Sequence, residues 1–147
     1  MLQDFDLDRF VEAQESSAAG YDTALREMKA GEKRSHWIWY IFPQIAGLGH
    51  SGNSEFFGIT CLEEAKAYLE NPILGPRLRE ITEAVLSHAE DRLAIELMGW
   101  EIDAMKLKSS MTLFDQVSPG DIFADVLEAF FDSARCGRTL RMLRDIN

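Results

Sequence analysis

Ser35-His36-Trp37-Ile38-Trp39-Tyr40-Ile41-Phe42-Pro43-Gln44 is the most apolar stretch of the chain and carries two of its three tryptophans. Left on a surface, the unbroken aromatic and aliphatic run over 37–42 would form an adhesive patch, so the other segments are expected to wrap around it. Its aromatic and β-branched residues favour a strand, yet the rest of the chain offers no partner strand. The run is therefore read as a short buried helix. Ser35 is a candidate cap for its start, and Pro43 must end regular structure nearby, because proline lacks an amide hydrogen and restricts the residue before it.

Toward the amino terminus, Leu7, Phe10, Val11 and Gln14 fall at helical spacing behind Asp6, a candidate acceptor for free amides. Ser16-Ser17-Ala18-Ala19-Gly20 breaks that helix, and a second over 21–30 turns Leu25 and Met28 inward and closes at Gly31. Toward the carboxyl terminus, Gln44-Ile45-Ala46-Gly47-Leu48-Gly49-His50-Ser51-Gly52-Asn53 reads as a loop whose three glycines permit tight turns and whose exposed amides could approach an anion. Thr60-Cys61-Leu62-Glu63 has the spacing of a capping box, and Asn71-Pro72 restarts the chain into a helix lined by Leu74, Leu78, Ile81 and Val85. A short helix over 91–98 ends at Gly99. Asp103 is read as the cap of a longer helix carrying Lys106, Ser109, Ser110 and Leu113 and ending near Val117.

Ser118-Pro119-Gly120-Asp121 repeats the capping pattern before the clearest amphipathic helix, whose stripe is Ile122, Phe123, Val126, Leu127, Phe130 and Phe131. Gly137 is expected to stop it, and Thr139 to cap a last helix containing Leu140 and Leu143. The expected fold is all-α: a compact multihelical single domain over 1–147, with the aromatic helix buried at its centre.

Composition narrows the class. At 147 residues and 46% hydrophobic the chain can bury about 68–70% of its unfolded surface without a staple. Cys61 and Cys136 match no metal or redox spacing and read as reduced thiols, which together with an acidic start (Met1-Leu2-Gln3-Asp4-Phe5-Asp6) and no long apolar run points to a cytoplasmic protein without membrane association. A net charge of −10 argues against broad nucleic-acid binding. The cations nevertheless cluster: Lys29, Lys33 and Arg34 before the aromatic run, Lys106 with Lys108, and Arg135, Arg138, Arg141 and Arg144 as a solvated helical stripe.

With these motifs in place, the chain resembles the uncharacterised bacterial DUF-1810 family, a domain of unknown function, over nearly its whole length. The matching residues are Arg9-Phe10-Val11-Glu12-Ala13-Gln14, then Lys33-Arg34 leading into the aromatic stretch through Gln44, then Gly47-Leu48-Gly49. Glu64-Ala65, Tyr68-Leu69, Gly75, Arg77-Leu78 and Asp103 follow, with Lys106-Leu107-Lys108-Ser109-Ser110-Met111-Thr112-Leu113-Phe114. The resemblance implies a multihelical fold with buried central helices and implies no reaction. Trp100 departs from it, since a less bulky residue is expected there.

His36 is the first candidate for chemistry, because imidazole changes protonation near neutral pH and here adjoins Arg34, Ser35 and a wall of aromatics. The alternative is a buried histidine that fixes the central helix through both nitrogens. Trp39 could stack on a planar ligand or belong to the core. Gln44, Gly49 and His50 put polar groups and free amides at the mouth of an apolar core, which a small-molecule pocket needs and a structural loop also supplies. Asp103 and Lys106, one turn apart, form either a surface pair or, facing the central motif, a set in which Lys106 and Arg34 neutralise an anion while Asp103 accepts a hydroxyl or acts as base. No metal or cofactor is expected; His36, His50 and Cys61 match no zinc spacing.

Two functions compete. One is a domain binding a small anionic, nucleotide-like metabolite beside the aromatic helix. The other is a protein–protein interaction module or structural homo-oligomer, with the phenylalanine-rich helix over 122–131 as its interface. A pocket holding His36, Gln44, Asp103 and Lys106 would favour the first; a filled core with an exposed apolar patch would favour the second.

Overall fold

In a computed structural model, which describes residues 4–16 and 18–146, ten helices follow one another: α1 (Asp8–Gln14), α2 (Tyr21–Ala30), α3 (Ile38–Ile41), α4 (Gly52–Phe56), α5 (Leu62–Glu70), α6 (Leu74–Leu86), α7 (Ala94–Met98), α8 (Glu101–Val117), α9 (Ile122–Phe131) and α10 (Gly137–Ile146). Met1, Leu2 and Gln3 of the acidic start and Ser17 of the first break lie outside the described residues. Among those residues pairing of strands is limited to one isolated bridge, and no helix is long and apolar enough to cross a membrane.

The all-α expectation holds, and the aromatic stretch is at the centre. Trp37, Ile38, Ile41 and Phe42 are each withdrawn from solvent, and they join a single apolar cluster fed by every helix except α4. Only one turn of the stretch is helical. A run apolar on every side has no wet face to orient an amphipathic helix, and Phe42 leaves helical geometry at φ −121°, ψ 75° just before Pro43. Beyond Pro43 the chain bridges in parallel from Ile45 to Ile59, with the Ile59 amide donating to the Gln44 carbonyl at 2.8 Å and the Ala46 amide to the Ile59 carbonyl at 2.7 Å. These bonds clamp the two ends of the glycine loop together.

The longest helix, α8, runs through the middle of the molecule, packing on α3, α5, α7, α9 and α10. Its residues 109–115 are buried without interruption although three of them are Ser109, Ser110 and Thr112. Hydroxyls this short can bond back to their own helix or across to a neighbour, and the one carboxylate of the run, Asp115, is paired with Arg135 at 3.2 Å. Gly75 lets α6 pass close under α5, since a Cβ at that position would stand 2.1 Å from the Leu69 carbonyl oxygen.

Several expected caps are corrected by one to three residues. Asp6 does not cap α1; Leu7 holds that position without a side-chain bond, and the Asp6 carbonyl accepts from Arg9. Ser35 does not cap α3, because its hydroxyl donates to Glu27 instead. At α5 it is Glu64, not Glu63, that accepts from the Thr60 amide at 2.8 Å and the Thr60 hydroxyl at 2.9 Å. Asp103 stands inside α8, not at its start. Asp121 rather than Ser118 caps α9, accepting from the Ile122 amide at 2.7 Å while Ser118 donates to it at 2.8 Å.

Gly137 opens α10 instead of stopping α9, which ends at Asp132 and Ser133 in left-handed conformation. Thr139 sits within α10, buried, as a partner of Ser109. The glycine loop contains α4, which was not expected; Ser51 caps it by accepting from the Ser54 amide at 3.1 Å. Ser35, Asp103 and Thr139 are drawn from capping by partners elsewhere in the chain, Glu27, Lys33 and Ser109.

Candidate functional site

Ile102, Met105, Lys106 and Ser109 recur along α8 at the spacing that puts side chains on one helical face. That face forms one wall of a groove of about 380 Å³, within the size range of small-molecule sites. Gln44, Leu48 and Gly49 of the glycine loop also line it, together with Cys136 just before α10 and Arg138 in its first turn.

Local chemistry holds each wall in place. Gln44 is anchored by the clamp described above. Gly47 takes φ +98°, a left-handed conformation that favours glycine, where a Cβ would meet the Met142 methyl at 2.5 Å, so the loop lies tight against α10. Among the described residues the backbone amides of Leu48 and Gly49, both groove-lining residues, have no hydrogen-bond partner. The Ser109 and Thr139 hydroxyls pair at 2.8 Å, and the Cys136 amide donates to the Thr112 hydroxyl at 2.9 Å. Those two bonds pin α10 to α8 and thereby bring Arg138 to the same groove as Lys106.

Lys106 is held from behind. Its ammonium lies 5.0 Å from the centre of the Trp39 ring and 3.9 Å from Asp103 Oδ1. The other Asp103 oxygen is 2.8 Å from Lys33 Nζ, which also donates to the Ser35 carbonyl at 2.6 Å and lies 5.0 Å from the Trp37 ring centre. One carboxylate thus serves two ammonium groups. The surplus positive charge is carried by Lys106, whose side chain is 20% exposed at the groove. Arg138 adds a second cation there, and Glu101 contributes one opposing carboxylate.

Beside the groove, a cavity of about 10 Å³ is lined by Trp39, Gln44, Gly49, Asn53 and Ser54. The buried Trp39 Nε1 has no hydrogen-bond partner among the described residues. Such a space is about the size of one water molecule.

Of the residues singled out from sequence, Gln44, Gly49 and Lys106 come together in this groove and Trp39 lies under Lys106. Asp103 stands behind them, committed to Lys33. His36 is exposed, which overturns the buried structural role and also places it outside the groove lining; His50 is exposed as well. Arg34 does not approach Lys106. It pairs with Glu32 at 3.1 Å and lines a separate cleft with Arg26, Glu27 and Arg92. The apolar stripe of α9 is not a free interface, since Phe123, Val126 and Leu127 are buried and α9 packs on α6 and α8. Among the described residues no group of three or more His, Cys, Asp or Glu gathers as metal ligands would.

Sequence reasoning missed Leu48, Ile102, Met105, Cys136 and Arg138. Arg138 carried a signal in the arginine periodicity, which by itself indicated only a wet helical face. Glu27 was missed too. Its carboxylate accepts from the Arg34 amide at 2.7 Å, the Ser35 amide at 3.0 Å, the Ser35 hydroxyl at 2.5 Å and Trp37 Nε1 at 2.9 Å. Desolvation pushes its pKa up, but these hydrogen bonds together outweigh that and hold the carboxyl below its ordinary range. Glu27 thereby fixes the entry to the aromatic stretch.

Comparison with known proteins gives kinship and no activity. No functionally curated protein matches the chain. A similar solved structure is the crystal structure of the conserved hypothetical protein Rv1873 from Mycobacterium tuberculosis, 41% identical, covering 95% of this chain and 97% of that one, with a TM-score of 0.88. The model of the family described as "Protein of unknown function (DUF1810)" matches residues 4–143, and with the aromatic stretch, the glycine loop and α8 all inside that span, the chain belongs to the DUF1810 family.

Proposed function

We propose that the chain binds a small anionic, nucleotide-like metabolite in the groove between the glycine loop, α8 and α10. The observation that carries this reading is the convergence of Lys106 and Arg138 on one small groove bordered by the unpaired amides of Leu48 and Gly49. Free backbone donors and two cations match the oxygens of a phosphate or carboxylate, and Gln44 offers an amide for a neighbouring polar group. Glu101 is the one acidic side chain of the groove lining, and Asp103 stands behind Lys106. The reading takes 1–147 as one domain, supported by the single apolar cluster that unites its helices.

The test is a thermal-shift screen of the purified protein against nucleotides, sugar phosphates and short carboxylic acids, repeated with Lys106→Ala and Arg138→Ala. A binder at 100 times its dissociation constant stabilises the fold by about 2.7 kcal/mol. Loss of that shift in both folded variants supports the groove; a shift that survives both places the ligand elsewhere, and no shift from any compound ends the reading.

One observation favours a second reading, an interaction module or homo-oligomer. Leu93, Ile95, Trp100, Ile102 and Met105 are large apolar side chains between 46% and 66% exposed within thirteen residues of chain. Sedimentation over a hundredfold concentration range separates the two: a reversible dimer abolished by Trp100→Glu supports this reading, and a monomer throughout removes the homo-oligomer.

A further inference from the structure

Resting on the metabolite reading, we infer that the ligand is an amphipathic anion: its charged group sits between Lys106 and Arg138, and a compact apolar body lies along Leu48, Ile102 and Met105. Ile102 and Met105 are each 50% exposed, one turn apart on the face of α8 that also carries Lys106. Leu48 of the glycine loop lines the same groove. Large apolar side chains that face a groove gain when a ligand displaces the water over them, and they gain nothing from a sugar hydroxyl. The anionic end has different neighbours. Lys106 is tethered by Asp103 and the Trp39 ring, and Arg138 follows the Cys136–Thr112 and Ser109–Thr139 bonds that fix the start of α10, so both cations of the lining are held in position.

Size narrows the class further. A groove of about 380 Å³ lies near the lower end of the range for small-molecule sites, which suits one ring system or a short acyl chain attached to the anion rather than a dinucleotide. A phosphate ester of an aromatic alcohol, an aromatic or acyl carboxylate, and a mononucleotide lying on its base all meet this description. A bare sugar phosphate does not.

Two probes with the same phosphate monoester separate body from charge: 1-naphthyl phosphate and ribose 5-phosphate, titrated by calorimetry into wild-type protein, into Ile102→Ser/Met105→Ser and into Lys106→Ala. The expected result is that 1-naphthyl phosphate binds at least about tenfold more tightly than ribose 5-phosphate, as burying one or two apolar contacts would give. The double serine variant should erase that difference while leaving ribose 5-phosphate within about twofold, and Lys106→Ala should weaken both probes. Both wall residues are half exposed, and an unchanged melting temperature in the variant checks that it folds. Equal binding of the two probes, or a preference indifferent to the serine substitutions, overturns the apolar-body inference and leaves the anion reading standing. Failure of both probes to bind wild-type protein overturns both.

Discussion

Lys33 Nζ lies 2.8 Å from the Asp103 carboxylate with the two side chains only 5% and 6% exposed, joining the segment that leads into the aromatic stretch to the first turn of α8. A charge pair this deep ties the approach to the aromatic stretch to α8, and it helps set where Lys106 stands, since Asp103 also faces Lys106.

Breaking that pair from one side is expected to be costly. Asp103→Asn leaves the Lys33 ammonium buried without its counter-charge and should lower stability by about 3–5 kcal/mol, whereas Lys33→Met combined with Asp103→Leu should recover most of the loss. Urea denaturation of the three variants checks this; a single-variant loss below about 1 kcal/mol would mean that water reaches the pair.

Acid sensitivity should trace in part to Glu27. Its folded pKa lies below the ordinary value of 4.5, so the carboxylate contributes stability at pH values above that and loses it as pH falls through the lower folded value. Asp121 behaves alike below its ordinary 3.8: desolvation opposes the shift, and hydrogen bonds from Arg79, the Ile122 amide and Ser118, with the charge of Arg79, outweigh it. Glu27→Gln should be less stable than wild type at neutral pH and should flatten the acid limb of a stability-versus-pH curve. An unaltered acid limb would show that the four donors to Glu27 are not held in solution.

Two adjacent serines should respond in opposite ways. Ser109 pairs with Thr139 at 2.8 Å in a buried site, whereas the buried Ser110 hydroxyl has no partner among the described residues. Ser109→Ala should cost about 1–3 kcal/mol by stranding the Thr139 hydroxyl, while Ser110→Ala should be neutral or stabilising. Equal losses in chemical denaturation would indicate that Ser110 has found a partner.

Gly75→Ala should destabilise more than a helix-propensity scale would suggest. Alanine is intrinsically the better helix former by about 1 kcal/mol, yet here its methyl would need the Leu69 carbonyl, 2.1 Å away, to move. A melting temperature at or above wild type would mean that α5 and α6 can separate without loss.

The candidate site was half legible. Gln44, Gly49 and Lys106 stood out because glycine-rich loops and paired charges near an apolar centre have chemical meaning without coordinates. His36, flanked by aromatics in sequence, is exposed and outside the groove lining, since only one turn of the run is helical. Arg34 misled for a related reason: its neighbour Lys33 turned inward to Asp103, leaving Arg34 exposed with Glu32.

Helical class and the burial of the aromatic stretch were legible in the sequence alone, because helical periodicity, glycine and proline punctuation and the lack of any partner strand act over a few residues, and the family was legible in the resemblance of the motifs around that stretch. The groove was decided only by tertiary structure. Its parts lie at 44–49, 101–109 and 136–138, and what assembles them is a set of short polar links between distant segments: Ser109 to Thr139, Cys136 to Thr112, and Lys33 to Asp103. Such links depend on distance and direction between side chains far apart in the chain, and no local pattern encodes either quantity.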